Sequence, residues 1–359
     1  NKKWDKSLVS WLIISYLTLV FLSSIFAHDP LLAFAGATNY GGRFEGFATI
    51  SIYAILFYAS RNHPVVTKAK LIRALSFLTI VSVYALVQYY QFDPLVIYKN
   101  YRPMIFSTIG NQNFLGSLMV MLCSLTFGLS VYYKKWYYYL FLLLFFSALL
   151  ASQTRGCWIA FGIVILGYMT FILIYDRAKF LGLILAFVVM GISAFTLNYT
   201  KKNALSKRTN SIRTEIKMKD EYGGSGRLKI WEITWGVIKD HPFLGTGPEN
   251  LKPVLKTEYK KELNAYYRMK GVTIDKAHNE YLHIAVVTGI PSLLIYMSVL
   301  VYVFWKNIPS IKFNKVKLIL GLTVLGYLIQ AFSNISVISV APLFWILLGH
   351  FSSETREVY

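Results

Sequence analysis

Ten apolar runs constrain this chain more than any other feature. They lie near residues 8–26, 46–60, 71–90, 113–132, 137–152, 157–175, 179–198, 281–305, 316–332 and 336–351. A helix needs about 17–25 apolar residues to cross a bilayer. Within lipid each backbone N–H and C=O must also find a partner inside its own segment, which leaves the helix as the available fold. The sequence therefore predicts an all-α polytopic membrane protein with about ten transmembrane helices. Composition agrees: 55% of the residues are hydrophobic, 16% aromatic and 15% charged, with a mean hydropathy of +0.48, too apolar for an ordinary soluble domain. The run 281–305 is predicted to break at Gly289-Ile290-Pro291, giving a short helix followed by the true span. Because the chain opens with Asn1, a preceding segment is expected, and ten spans is a minimum.

The connections sort by charge. Lys2, Lys3 and Lys6 precede the first span, and alternate short connections then carry Arg61, Lys68, Lys70 and Arg73; Lys134 and Lys135; Arg177 and Lys179; and Lys306, Lys312, Lys315 and Lys317. Short basic loops of this kind face the cytoplasm. The complementary set holds Arg43, then Lys99 and Arg102, then Arg155, then the long segment 199–277, then Ser333-Asn334, and these are predicted to face outward. The formal charge of +20 needs no nucleic-acid partner, because basic residues beside anionic headgroups account for it and no nucleic-acid recognition fold fits between the spans. Cys123 and Cys157 both lie in apolar runs and read as small core residues, not as a disulfide or thiolate metal site.

The predicted organisation is therefore helices over 1–198, a large extracytoplasmic loop over 199–277, and C-terminal helices over 278–359. No internal repeat or low-complexity tract is present. The loop's first part, 201–220, is Lys/Arg-rich and aperiodic, as an exposed arm would be. From Arg227 to Lys239, Leu228, Trp231, Trp235 and Ile238 recur at helical spacing and predict one apolar face, with Ser225 as a possible cap. After the turn at Gly245-Thr246-Gly247-Pro248, a second amphipathic stretch carries Leu251, Leu255, Tyr259 and Leu263. Two helices on the outer membrane surface are expected.

Few residues carry chemistry. A helix starting at Ser225-Gly226-Arg227 offers free N–H groups beside a guanidinium, an anion site by construction, although an arginine there also snorkels at an interface. Arg155 stands in a connection so short that it sits at the outer boundary, where an arginine is either functional or an interfacial anchor. His278 near a helix start is a cap or packing residue in most proteins. With arginines nearby and Asp275, Glu280 or Glu249 to orient it, a neutral imidazole takes a proton from a hydroxyl. His283, one turn on, reads as structural. Asn111-Gln112-Asn113 reads first as a helix cap, and Gly41-Gly42-Arg43-Phe44-Glu45-Gly46 as a tight re-entry turn. No metal-ligand spacing, catalytic serine triad, P-loop or dinucleotide fingerprint occurs, so neither metal nor cofactor is predicted.

Several segments, in order, resemble the O-antigen ligases and related O-antigen polymerases of bacterial envelopes. They are Gly42-Arg43-Phe44-Glu45-Gly46, Thr108 to Gly116, Ser152-Gln153-Thr154-Arg155-Gly156, Gly226-Arg227 through Trp231, His241 to Pro248, and His278 to Gly289. The resemblance implies a GT-C-like membrane fold of twelve helices, with one large extracytoplasmic loop before the histidine, in the bacterial inner membrane. It implies glycan transfer from a polyprenyl (undecaprenyl) diphosphate carrier to a lipid, protein or glycan acceptor hydroxyl, without metal. It assigns the diphosphate to Arg155 and Arg227 and acceptor activation to His278; Arg43, Glu45, Arg102, Asn113 and Glu280 are candidate supporting residues. A small-anion transporter is the outside alternative, but transporters place polar groups at mid-membrane, and here the charges gather at the outer ends.

Overall fold

The computed structural model describes residues 7–37, 43–63, 66–93, 105–201 and 226–353. They form fifteen α-helices: α1 Leu8–Ile25, α2 Pro30–Ala35, α3 Phe47–Asn62, α4 Lys68–Tyr89, α5 Gln112–Tyr133, α6 Trp136–Ala151, α7 Arg155–Tyr175, α8 Phe180–Thr200, α9 Arg227–Asp240, α10 Leu251–Thr257, α11 Lys260–Lys270, α12 Glu280–Thr288, α13 Ile290–Ile311, α14 Lys315–Ala331 and α15 Ala341–Ser352. Each predicted apolar run holds a helix. Six helical segments are long and apolar enough to span: α1, α4, α5, α7, α8 with its preceding turn, and α13. Helices α6 and α15 are apolar but shorter. The protein is thus a polytopic membrane protein, with six long spans among the described residues where about ten were predicted for the chain. The last run illustrates the difference: its helix begins only at Ala341, because residues 335–340 run as coil and turn and Ser336 is drawn to the Glu45 carboxylate.

The chain divides into two compact units. The first comprises Asn1–Ala59, Glu215–Asn307 and Ala331–Trp345; the second comprises Ser60–Thr214, Ile308–Gln330 and Ile346–Tyr359.

The second unit is organised around α5, which is buried from Phe114 to Tyr132. Lipid gives no hydrophobic drive for helices to associate, so small residues that let helices approach closely become decisive. Gly128 supplies one such site, where a Cβ would stand 2.3 Å from the Tyr168 hydroxyl, and Gly182 another, where it would stand 2.5 Å from the Val131 carbonyl oxygen. At one end of this unit the basic loops meet tyrosines: Lys68 over Tyr137, Lys179 over Tyr132, Lys312 over Tyr175 and Lys315 over Tyr133, each 5.1–5.9 Å from the ring centre. An aromatic and cationic belt of this kind belongs at a membrane interface. Buried Lys317 donates to the carbonyls of Phe351 and Ser353 at the end of α15, a cation placed on the negative end of a helix.

The first unit packs α9–α11 and α12 around a core that includes Ile230, Ile233, Val237, Ile238, Leu251, Leu255, Leu263 and Val286. The expected face of α9 needs correction. Its buried residues are Ile230, Ile233, Thr234, Val237 and Ile238, whereas Leu228 is 56% and Trp235 50% exposed. The stripe i, i+3, i+4, i+7, i+8 from Ile230 carries compact branched side chains that fill a core; of the expected face, Ile238 is buried and Trp231 packs partly buried against that core, while Leu228 and Trp235 stay outside. The second stretch is two helices, α10 and α11, not one. Leu251, Leu255 and Leu263 are buried as expected, but the chain turns between Thr257 and Lys260. Ser225 lies outside the described residues, and the N-cap of α9 is Gly226 at φ +74°.

The break at Gly289 is a docking point. The amides of Thr246 and Gly247 donate to the carbonyls of Val286 and Val287 at 2.9 and 2.8 Å, and Ile290 N–H donates to Pro242 at 2.8 Å. Carbonyls left over at the end of α12 thus find partners in the Pro242–Pro248 turn. Gly289 has φ +89°, and a Cβ there would come within 1.9 Å of the Phe243 oxygen. Gly289→Ala is accordingly expected to destabilise the protein by roughly 2–3 kcal/mol, read as an earlier thermal unfolding in detergent. A variant as stable as wild type would contradict this account of the break.

Candidate functional site

Three connections of the first unit build the site. The turn before α3 is fixed by glycine: a Cβ on Gly46 would stand 2.4 Å from the Gly36 nitrogen and 2.6 Å from the Phe34 oxygen. That close approach sets the positions of Arg43 and Glu45. In the second connection, Asn250 ties the Pro248 turn to α2: the Asp29 amide donates to Asn250 Oδ1 at 2.7 Å, and Asn250 Nδ2 donates to the Asp29 carbonyl at 3.1 Å. Glu249, at φ +59°, leaves this turn. The third connection is 271–279, which carries Asp275, Lys276 and His278.

Charge pairs join the three. Arg43 donates to Asp275 at 2.9 Å. Lys276, almost fully buried, lies 3.0 Å from Glu249 and 3.8 Å from Glu45, and the Glu45 amide donates to Glu249 at 3.2 Å. Glu45 also accepts from Ser336 at 2.6 Å and from Tyr53 at 3.2 Å. Asn279 caps α12 by accepting from the amides of Tyr281 and Leu282 at 3.0 and 3.1 Å. His278 is therefore not the cap. It is half-buried just ahead of it, at φ +50°, held between anchored Lys276 and anchored Asn279. Backbone in this region costs a residue other than glycine about 1 kcal/mol or more, and such positions concentrate at functional sites.

The electrostatics favour a neutral imidazole. Burial pushes the His278 pKa below its ordinary value, Asp275 pulls it up, and the Arg227 and Arg43 guanidiniums push it further down. Burial alone would raise the Asp275 carboxyl, but the charge and hydrogen bond of Arg43, together with His278 and Lys276, bring the net direction down. The result is an unprotonated base beside an ionised carboxylate and two fixed cations. Glu45 is raised, by burial first, with Lys276 and the Ser336 hydrogen bond opposing.

Of the predicted residues, the first unit therefore gathers His278, Arg227 and Arg43 with Asp275. Of the three carboxylates considered as orienters of the imidazole, Glu249 is engaged by Lys276, and Glu280 accepts from Tyr296 at 3.1 Å; Asp275 is the one whose charge acts on His278. Arg155 and Asn113 belong to the second unit. There Arg155 opens α7 after a turn in which Ser152 and Thr154 share a 2.8 Å hydrogen bond, and Gly116 of α5 lets the Thr154 side chain approach. Asn111 rather than Asn113 caps α5, accepting from the Asn113 amide at 2.8 Å. Arg102 and the basic arm 202–220 lie outside the described residues. Lys276, Ser336 and Tyr53 were missed by the sequence reading. The only signal for Lys276 was its place two residues before His278.

No curated protein matches the chain. Residues 140–297 match the family model described as O-antigen ligase, Wzy_C. That range contains Arg155, Arg227, Asp275, Lys276 and His278, and it names the family that the motifs resemble. This multi-pass membrane protein thus carries, across residues 140–297, a domain of the Wzy_C O-antigen ligase family.

Proposed function

We propose that the protein transfers a glycan from a polyprenyl diphosphate carrier to an acceptor hydroxyl on the extracytoplasmic side of the bacterial plasma membrane. The observation that carries this reading is the grouping of a neutral His278 with Asp275 and the Arg43 and Arg227 guanidiniums. The acceptor O–H gives its proton to the imidazole while its oxygen attacks the anomeric carbon. The bond from that carbon to the diphosphate breaks, and the electron pair leaves on a phosphate oxygen. Arg227 at the N-terminus of α9 holds the growing negative charge, and the family resemblance assigns Arg155 to the same diphosphate. The imidazolium that forms is opposed by Asp275. Diphosphate is a good leaving group, so no general acid is needed, and a single displacement inverts the anomeric centre.

Donor charge and base strength are coupled in this scheme. An anionic diphosphate beside Arg227 offsets the guanidinium field and makes the imidazole a stronger base once donor is bound. In the free protein the shift is downward, so His278 becomes protonated, and activity falls, only below its ordinary 6.5. The acid limb of kcat/KM is expected below that value and the limb of kcat at higher pH. Coincident limbs would sever donor charge from base strength.

Incubating the purified protein with a polyprenyl-diphosphate glycan and separate acceptors tests the proposal. A lipid core, a protein hydroxyl and a second carrier-linked repeat distinguish ligase, oligosaccharyltransferase and polymerase. The expected result is that one of them gains sugar as polyprenyl diphosphate is released. Flux of a small anion into proteoliposomes with no glycan turnover would instead support a transporter.

A further inference from the structure

A pocket of about 60 Å³ opens within the first unit, walled by Glu45, Glu249, Lys276, Glu280, His283 and Ser336. By the water-sized measure this is room for roughly four or five waters, or for one edge of a sugar ring with its hydroxyls. It runs from the loops into the helices, since Tyr16 of α1, Tyr53 of α3 and Tyr296 of α13 also line it. Its charges are unusual for such a place. Glu45, Glu280 and Lys276 are 7%, 5% and 2% exposed. Three carboxylates stand against one ammonium, a formal excess of negative charge. Ionisable groups at this depth are costly and are kept where they do work.

The polar groups are also biased in kind. A carboxylate only accepts, with about four lone-pair positions, whereas an ammonium has three hydrogens to give. Lys276 gives to Glu249, and Ser336 and Tyr53 give to Glu45. His283 is 8% exposed, and its Nδ1 finds no hydrogen-bond partner among the described residues. An unsatisfied ring nitrogen in a cavity rich in acceptors points to an occupant that brings hydroxyls. The tyrosine faces suit the C–H faces of a sugar, and the excess negative charge opposes any anion.

The pocket borders the catalytic segment: Lys276 and Glu280, two residues to either side of His278, both line it. We infer that it is the acceptor-side subsite, seating one edge of a neutral, hydroxyl-rich sugar residue and rejecting an acidic one. Its place on the acceptor side rests on the proposed transfer reaction; its binding preference does not.

The test is therefore a binding measurement on the full-length protein in detergent. Calorimetric titration with a neutral trisaccharide, and with the same trisaccharide ending in a uronate, compares the two chemistries without donor or turnover. The neutral sugar is expected to bind about tenfold more tightly, since a like charge brought against the wall is costly. In Glu280→Gln, which keeps the shape and removes a charge, the discrimination should fall to about threefold or less. Equal binding of the two sugars by wild type, no binding of either, or unaltered discrimination in a folded Glu280→Gln protein would each overturn the inference. The wild-type comparison decides the matter even if the variant fails to fold. Equal binding of the two sugars would not bear on whether the protein transfers glycan, and absence of transfer would not bear on which sugar the pocket prefers.

Discussion

Replacing His278 with Ala is expected to lower kcat for glycan transfer by about 10²–10⁴-fold, the usual contribution of a positioned general base. Donor binding and thermal stability should stay close to wild type. The reasoning starts from the acceptor: a hydroxyl is a poor nucleophile while it keeps its proton, and among the groups gathered here the neutral imidazole suits its removal. Asp275 is already ionised but is committed to Arg43 at 2.9 Å, and its lowered pKa makes it a weak base. The imidazole also contributes little to packing, being half-buried in a strained backbone position, so its loss should not unfold the protein. Transfer rates with labelled donor, alongside unfolding curves, check this. A folded His278→Ala protein that transfers at the wild-type rate removes the imidazole from the chemistry.

Lys276→Met is expected to destabilise the protein by about 3–5 kcal/mol, because it leaves Glu249 and Glu45 buried without their cation. The ammonium lies 3.0 Å from one carboxylate and 3.8 Å from the other, with side chains only 3%, 5% and 8% exposed. Thermal unfolding in detergent should start on the order of 10 °C earlier. Adding Glu249→Gln should restore part of the loss, since the double variant no longer buries that unpaired charge. A single variant within about 1 kcal/mol of wild type would mean that the network is solvated and holds nothing in place.

What could be read from the sequence follows from what lipid enforces. Apolar runs mark helices because backbone groups have no alternative partner in hydrocarbon, and all ten runs contain one. The interruption at Gly289-Ile290-Pro291 was legible for a similar reason: a glycine followed by proline rarely continues a helix. Arg227 and His278 could be named because a cation at a helix start and an imidazole beside a span are uncommon enough to demand a role. Lys276 could not, since a lysine in a polar connection has the signature of a solvated side chain. Only three-dimensional closure places it between carboxylates more than 25 residues away on one side and more than 230 on the other. The buried face of α9 was misread because hydrophobicity alone ranks Trp235 and Leu228 with Ile233 and Val237, although shape decides which of them fit a core.

The central claim is a direct displacement of diphosphate by a hydroxyl that His278 deprotonates. The configuration at the anomeric carbon of the transferred sugar, read by NMR on the product of the purified protein, tests it most directly. Inversion relative to the carrier-linked donor is the expected result. Retention would require a double displacement or same-face attack, and it would contradict the mechanism.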